Sequence, residues 1–414
     1  MARIRPLRDP VTLTLDGTSI PAEKGEPIAV ALLAAGKLGL ARSPKFHRPR
    51  GPSCLRGACD GCLARVDDVP NTMTCMAEAH DGCEVVTQNR LGPRQADLLR
   101  LTDWFFPEGM NHHELFAGVP GVGAIMQTFA RRVAGLGRLP TEVESSRPAQ
   151  RRTVDVLVVG GGAAGLNVAR ALAAAGRDVE LLEDQLAIGG GAGALADGTP
   201  FGLGALDGVR VRTATTVGAI YGRDVLVVGP EGAEVLEPRA LVLACGAHDA
   251  ALAFEGNDIP GIVSARAAGW LLHRHGVVPG KEIVVVGEGL CADDYARAAA
   301  AHAKVTRAKG TLVAVSGTLH ARKVRVAVDG KEQTFEADLV VIDAPRAPAY
   351  ELAQQAGAAL VHTPAGFVVE RDAGGKIAPG VWAAGEVAGV AFTAEALVAD
   401  AERVARSILD ERTE

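Results

Sequence analysis

Three things are missing from this sequence of 414 residues, and each excludes a class of protein. There is no basic excess. The 43 Lys and Arg stand against 49 Asp and Glu, a formal charge of −6. Nucleic-acid-binding proteins carry surplus, clustered cations, so no nucleic-acid partner is expected. No apolar run reaches the roughly 20 residues of a bilayer-spanning helix, so no transmembrane segment is expected. The amino terminus, Met1-Ala2-Arg3-Ile4-Arg5-Pro6, lacks the apolar stretch of a secretory leader, which points to a cytoplasmic, soluble protein. Aromatic residues are also scarce at 4%, whereas glycine is abundant at 50 residues. Without a collagen-like period, that surplus suggests tight turns where backbone approaches a ligand. With 48% hydrophobic residues the chain can build packed cores, and its length suits about three domains.

Seven cysteines, an odd number, do not read as a disulfide framework in a chain without an export signal. Five of them lie close together, and Cys54, Cys59, Cys62 and Cys75 follow C-x4-C-x2-C-x12-C. Plant-type 2Fe–2S ferredoxins open with the same C-x4-C-x2-C and take a fourth thiolate from further along. Small residues, including Gly57 and Gly61, let this loop curl so that backbone N–H groups can face an anionic cluster. A four-cysteine zinc site is the alternative, but such sites usually pair two C-x2-C knuckles and only one is present. Cys83 is a spare that could replace Cys75 as the fourth ligand. Around the loop, Val11–Leu15 alternates like a strand and Asp16-Gly17 signals a hairpin. A helix is expected near Pro27–Ala35, with strands at Leu63–Val66 and Glu84–Thr87. That order fits a ferredoxin-like β-grasp domain over residues 1–95.

Residues 96–150 read as a helical connector and linker. Val122, Ile125, Met126, Phe129 and Val133 recur at helical spacing over 121–136. Trp104, Phe105 and Phe106 read as packing residues. His112 and His113 are adjacent, so they do not share a helix face as metal ligands would.

The strand Val154–Val159 runs into Gly160-Gly161-Gly162-Ala163-Ala164-Gly165, then a helix to Ala175, then a strand Asp178–Leu182 ending at Glu183 and Asp184. This is a complete strand–glycine–helix–strand–acid unit for an adenine dinucleotide. Gly160 serves the tight turn, Gly162 the approach of the diphosphate, and Gly165 close helix packing. The helix N-terminus supplies N–H donors, and Glu183 would accept from ribose hydroxyls. FAD is favoured, with NAD the alternative at the same site. Gly190 lies in the next glycine run. Gly246 and the pair Gly385-Glu386 follow two further strands, where flavin phosphate or ribityl groups would be held. This flavoprotein domain spans 151–250 and 345–414.

A second unit, Ile283–Val286 then Gly287-Glu288-Gly289-Leu290-Cys291-Ala292, lies in an inserted segment, 251–344. Glu288 puts negative charge where phosphate would sit, Asp293 and Asp294 already occupy the helix N-terminus, and no carboxylate follows the next strand at Thr306-Arg307. The unit reads as degenerate. Cys245 and Cys291 are isolated, so no redox-active cysteine pair is expected there. The fold class is multi-domain α/β: an N-terminal β-grasp 2Fe–2S ferredoxin-like domain followed by a two-dinucleotide-binding, Rossmann-like flavoprotein domain.

Lys45–Gly51, Ala134–Arg138 and Gly246-Ala247-His248 with Phe254–Gly261 are similar to heterotetrameric sarcosine oxidase α subunits. The resemblance extends to opine oxidase A subunits, hydrogen cyanide synthase subunits and dye-linked proline dehydrogenase α subunits, and covers nearly the whole chain. Neither the folate-binding C-terminal half of sarcosine oxidase α nor the extra opine oxidase iron–sulfur domain is expected. The expected architecture is that of the iron–sulfur and flavoprotein subunits of hydrogen cyanide synthase joined in one chain. The resemblance implies an electron-transfer subunit that partners an FAD-containing, amine-oxidising β-type subunit and delivers electrons to ferredoxin, quinone or oxygen. In some members FMN is bound at the subunit interface. Rival readings are a stand-alone NAD(P)H-dependent flavin and 2Fe–2S reductase, or a non-catalytic redox-sensing nucleotide-binding protein. Arg48, Arg50 and Arg56 are candidates to offset cluster charge.

Overall fold

A computed structural model describes residues 2–43, 46–88, 98–105, 121–125, 128, 148–364 and 366–411. Contacts divide the chain into two units, Met1–Glu144 with Leu252–Ile342, and Ser145–Ala251 with Asp343–Glu414.

The first unit begins with a five-stranded sheet in the order Thr18–Glu23, Pro10–Leu15, Glu84–Val86, Leu63–Val66, Val69–Met73. The Pro10–Leu15 and Glu84–Val86 strands are parallel and the other pairs antiparallel, which is the β-grasp arrangement. Asp16 and Gly17, at φ 49° and 78°, make the two-residue turn that register pairing of Leu15 with Thr18 requires. Alternation sends Leu13, Leu15, Ile20 and Ala22 to one face. The helix Ile28–Ala34 lies in the same core, with every residue from Ile28 to Leu33 buried. Each such leucine or isoleucine contributes roughly 1.5–3 kcal/mol by leaving water.

The later segment of this unit adds a parallel sheet in the order Ile262–Ser264, Leu339–Ile342, Glu282–Val286, Lys304–Ala308, and an antiparallel three-stranded sheet over Thr311–Glu336. Its Ala267, Leu271 and Val277 join the β-grasp side chains in one apolar core. The segment Gly256–Gly261 explains its own composition. Asp258 pairs with Arg50 at 2.8 Å, and Pro260 packs so closely on Gly51 that a Cβ there would lie 3.1 Å from Pro260 Cα. Arg50 is thus engaged with Asp258 rather than standing free to offset charge.

The second unit is a doubly wound sheet. Strands run Val209–Arg212, Val179–Leu182, Gln150–Val159, Gly232–Leu243, with Val381–Ala383 also paired to Gly232–Leu243, and an antiparallel Asp224–Gly229 and Thr216–Tyr221 extension. Val156–Val159 are all apolar because both faces are covered. Helices Ala163–Ala174 and Ala394–Asp410 share one core through Leu166, Leu172, Ala401, Val404 and Ile408. The first helix starts at Ala163, three residues before the sequence pattern places it, because Ala163-Ala164-Gly165 continue the turn directly. Trp104 and Phe105 are 77% and 66% exposed rather than packed. Phe106, His112, His113 and most of 121–136 lie outside the described residues.

Candidate iron–sulfur and dinucleotide sites

Cys54, Cys59, Cys62 and Cys75 converge as free thiols, although Cys75 comes from beyond the Val69–Met73 strand. Cys54 Sγ lies 3.4 Å from Cys59 Sγ. Backbone donors are aimed at the sulfurs: Arg56 N–H at Cys54 Sγ, 3.4 Å, and Gly57 N–H at Cys75 Sγ, 3.3 Å. The hydrogen bond from Cys54, with backbone donors from Ser53, Cys54 and Gly61, pushes Cys59 down to about 5 despite burial. A hydrogen bond with Cys75 likewise lowers Cys62. Gly61 is required where it stands, since a Cβ would sit 1.9 Å from Gly51 O. The same two hydrogen bonds push Cys54 and Cys75 up, so each pair shares one proton; four soft donors in one pocket, with backbone N–H groups aimed at the sulfurs, suit an iron–sulfur cluster. Cys54, Cys62 and Cys75 are buried and Cys59 is half-buried, on the outer edge. Cys83 is not among these sulfurs; it stands beside Asp67 and His80.

In the second unit the glycine turn follows the end of Gln150–Val159. Gly160 has φ 107°, and a Cβ there would be 2.3 Å from Ala244 O. At Gly162 a Cβ would meet nothing nearer than Gly190 Cα at 3.8 Å. Two glycine runs, 160–162 and 189–190, therefore leave a slot without side chains. The Ala163–Ala174 helix opens onto it, with no side-chain cap and no acid in its first turn, so its N–H groups remain for a diphosphate. Glu183 Oε2 accepts from Gly161 N–H at 2.7 Å and Oε1 from Gln185 N–H at 3.0 Å. Burial, then the neighbouring Asp184, pushes its carboxyl up to about 8. Asp184 itself is exposed. Gly246 faces Glu386, whose Oε2 would lie 4.0 Å from a Cβ at Gly246.

Residues that sequence reasoning missed fix this end of the unit. Glu386 Oε1 accepts from Arg346 at 3.0 Å, and the Arg346 guanidinium lies 3.8 Å over the Phe392 ring, which stacks on Phe201 at 5.0 Å. Gly385 N–H donates to Asp400 Oδ2 at 2.8 Å, and Asp400 is itself gripped by Arg371 and Arg403. These partners are far apart in sequence, and no local motif announces them.

The second glycine unit carries its own countercharges. Arg307 Nη2 donates to Asp293 Oδ1 at 2.6 Å, and buried Asp294 is paired with His273 and Arg297.

A 2Fe-2S iron-sulfur cluster binding domain matches residues 8–90, and a pyridine nucleotide-disulphide oxidoreductase domain matches residues 154–320. The sarcosine oxidase subunit alpha of Rhizobium meliloti (strain 1021) is 31% identical over 307 residues, covering 66% of this chain and 31% of that protein. Its counterpart in Corynebacterium sp. (strain U-96) is 29% identical over 406 residues, 83% of this chain and 38% of that one. The chain thus spans about a third of the length of these curated relatives. The L-proline dehydrogenase structure from P. horikoshii has the same fold over 99% of this chain and 75% of that one, with a TM-score of 0.76 at 20% identity. The kinship with sarcosine oxidase α subunits expected from the sequence is shown, as is the two-part fold class. The two matched domains are thus of the 2Fe–2S cluster-binding and the pyridine nucleotide-disulphide oxidoreductase types.

Proposed function

We propose that this sarcosine oxidase α-like chain is the electron-transfer subunit of a heteromeric amine or amino-acid oxidoreductase. A sarcosine-, opine-, proline- or glycine-type substrate is oxidised in a separate FAD-containing β-type subunit, and this chain relays the electrons to an acceptor. The observation that carries the reading is the joint presence of a four-thiol pocket and a side-chain-free glycine slot in one chain. Bound there, a flavin would supply two-electron redox chemistry and an iron pair one-electron redox chemistry.

The residues divide the work. Cys54, Cys59, Cys62 and Cys75 hold the iron, and the Arg56 and Gly57 N–H groups offset charge on the sulfurs. Cys59 is the most open of the four. Gly160, Gly161, Gly162, Ala163, Ala164, Gly165 and Gly190 frame the diphosphate. Glu183 accepts from the ribose hydroxyls, with Asp184 beside it holding negative charge at that rim. Gly246, Gly385 and Glu386 border the ribityl end, with Arg346 holding Glu386 in place. No helix among the described residues is long and apolar enough to cross a membrane.

The rival, a stand-alone NAD(P)H reductase, needs the second glycine unit, where Arg307 is taken by Asp293. The test is purification from the native host followed by spectroscopy. The expected preparation contains FAD, iron, acid-labile sulfide and a flavin-bearing second subunit. Its flavin and cluster are reduced by a secondary amine or amino acid and not by NADH or NADPH. Bleaching by either nicotinamide cofactor alone at turnover rates would overturn the proposal.

A further inference from the structure

The β-grasp sheet carries a second group of metal-binding side chains that the thiol pocket does not use. Asp67 follows the strand Leu63–Val66, which pairs antiparallel with Glu84–Val86, so the sheet itself brings Asp67 to the loop entering Glu84. His80 Nε2 lies 2.8 Å from Asp67 Oδ2, and with the Cys83 sulfur these ligand atoms lie within 4.8 Å of one another.

The surroundings hold them there. Asp67 Oδ1 accepts from Glu84 N–H at 2.9 Å, and Asp67 N–H donates to Glu84 O at 3.0 Å. His80 Nδ1 is 3.2 Å from the Asp81 carbonyl, while Asp81 Oδ1 accepts from Thr12 N–H at 3.1 Å. A carbonyl only accepts, so Nδ1 carries the ring proton and Nε2 turns its lone pair toward a carboxylate. Two acceptors at that separation need a positive charge between them. A second ring proton provides it in the hydrogen-bonded pair, and a divalent cation would provide it once the two atoms part to about 3.3 Å, the spacing of two ligands on tetrahedral zinc. Cys83 is fully buried beneath the pair, whereas the His80 and Asp67 side chains are 54% and 42% exposed. A soft donor thus sits at the base of an approach open to solvent. One thiolate, one imidazole and one carboxylate, with a fourth position for water, is a zinc donor set.

We propose that Asp67, His80 and Cys83 form a zinc(II) site separate from the Cys54–Cys75 pocket, tying the turn at Asp67 to the loop at Cys83. On binding, the S–H proton and the proton shared by His80 and Asp67 leave to solvent as Zn–S, Zn–N and Zn–O bonds form. No electrons are transferred.

The experiment uses the full chain with its cluster in place, freed of loose metal by chelator dialysis and titrated with zinc chloride. About one zinc per chain is expected, with an X-ray absorption spectrum of one sulfur and the remaining scatterers nitrogen or oxygen. His80→Ala and Asp67→Asn, both at exposed positions, are expected to lower zinc uptake at least tenfold while iron content and the reduced cluster's electron-spin signal stay unchanged. Three results would overturn the site: no zinc retained by the wild-type chain, equal retention by His80→Ala, or a four-sulfur spectrum. The last would place zinc in the Cys54–Cys75 pocket and count against the cluster instead.

Discussion

Gly160–Gly165 and Gly287–Ala292 both follow a parallel strand, both open on a glycine at φ 107°, and both feed a helix. Their backbones are built alike and their charges differ. At the first turn the helix N-terminus has no acid in its first turn, and a facing run of glycines leaves room. At the second, Asp293 stands in the first helical turn and binds Arg307, while Glu288 occupies the turn itself. A helix N-terminus attracts whichever anion reaches it first. When the chain supplies that anion covalently, an external phosphate gains little by replacing it. The strand–glycine–helix plan is therefore common to both turns, and what differs is the handful of side chains around it.

The strongest way to break this contrast is Gly162→Ala. The added methyl has 3.8 Å of clearance in the chain itself, so circular dichroism should be unchanged while FAD affinity falls on the order of 100-fold, about 2.7 kcal/mol. A change in the second unit, Glu288→Gln, should leave FAD content untouched. If Gly162→Ala binds FAD normally, the slot is not the diphosphate site.

Glu183→Gln comes next. Replacing the carboxyl proposed to accept from ribose hydroxyls by an amide should weaken FAD binding roughly tenfold, measured by equilibrium titration of apoprotein. The same residue gives a pH signature. Its folded carboxyl titrates near 8 against an ordinary 4.5, so between these values the folded chain holds a proton that the unfolded chain has released. Stability of the apoprotein conferred at that position is therefore present below about pH 4.5 and lost as pH rises toward about 8. Melting scans should show the midpoint falling over that window by on the order of 5 °C, and Glu183→Gln should flatten the slope.

The smallest effect belongs to Asp293→Asn. Breaking a partly exposed ion pair should cost no more than about 1 kcal/mol. Nicotinamide cofactors should still fail to bleach the flavin, because Glu288 and Asp294 remain. A gain of rapid NADPH oxidation would show that a single salt bridge was all that closed the second turn.

The elements that lie close together in sequence were legible before any coordinates. The cysteine spacing, the Asp16-Gly17 hairpin and the strand–glycine–helix pattern of Val154–Glu183 and of Ile283–Ala292 each rest on local periodicity and turn chemistry. What escaped was built from distant residues. Arg346 meets Glu386 and Phe392 only through the pairing of Ala247–Asp249 with Arg346–Pro348. Asp400 looks like an ordinary helical acid until the fold brings Gly385 N–H against it. Arg50, a plausible neighbour for cluster charge, is claimed by Asp258, some two hundred residues away. Trp104 and Phe105 read as core because aromatic residues usually are, yet they are exposed. Pattern gives a residue's tendency, and its partner comes from topology.

Ala267, Leu271 and Val277 complete the same oily interior as Leu13, Ile20 and Leu32. Cutting the chain after the last ferredoxin-like strand would strip that interior of one wall. Such a fragment should precipitate or melt early, whatever its cysteines do, so motif limits are a poor guide to where this polypeptide can be severed. A lineage that lost the inserted segment would have to reinvent a cover for the iron-bearing end before it could keep it.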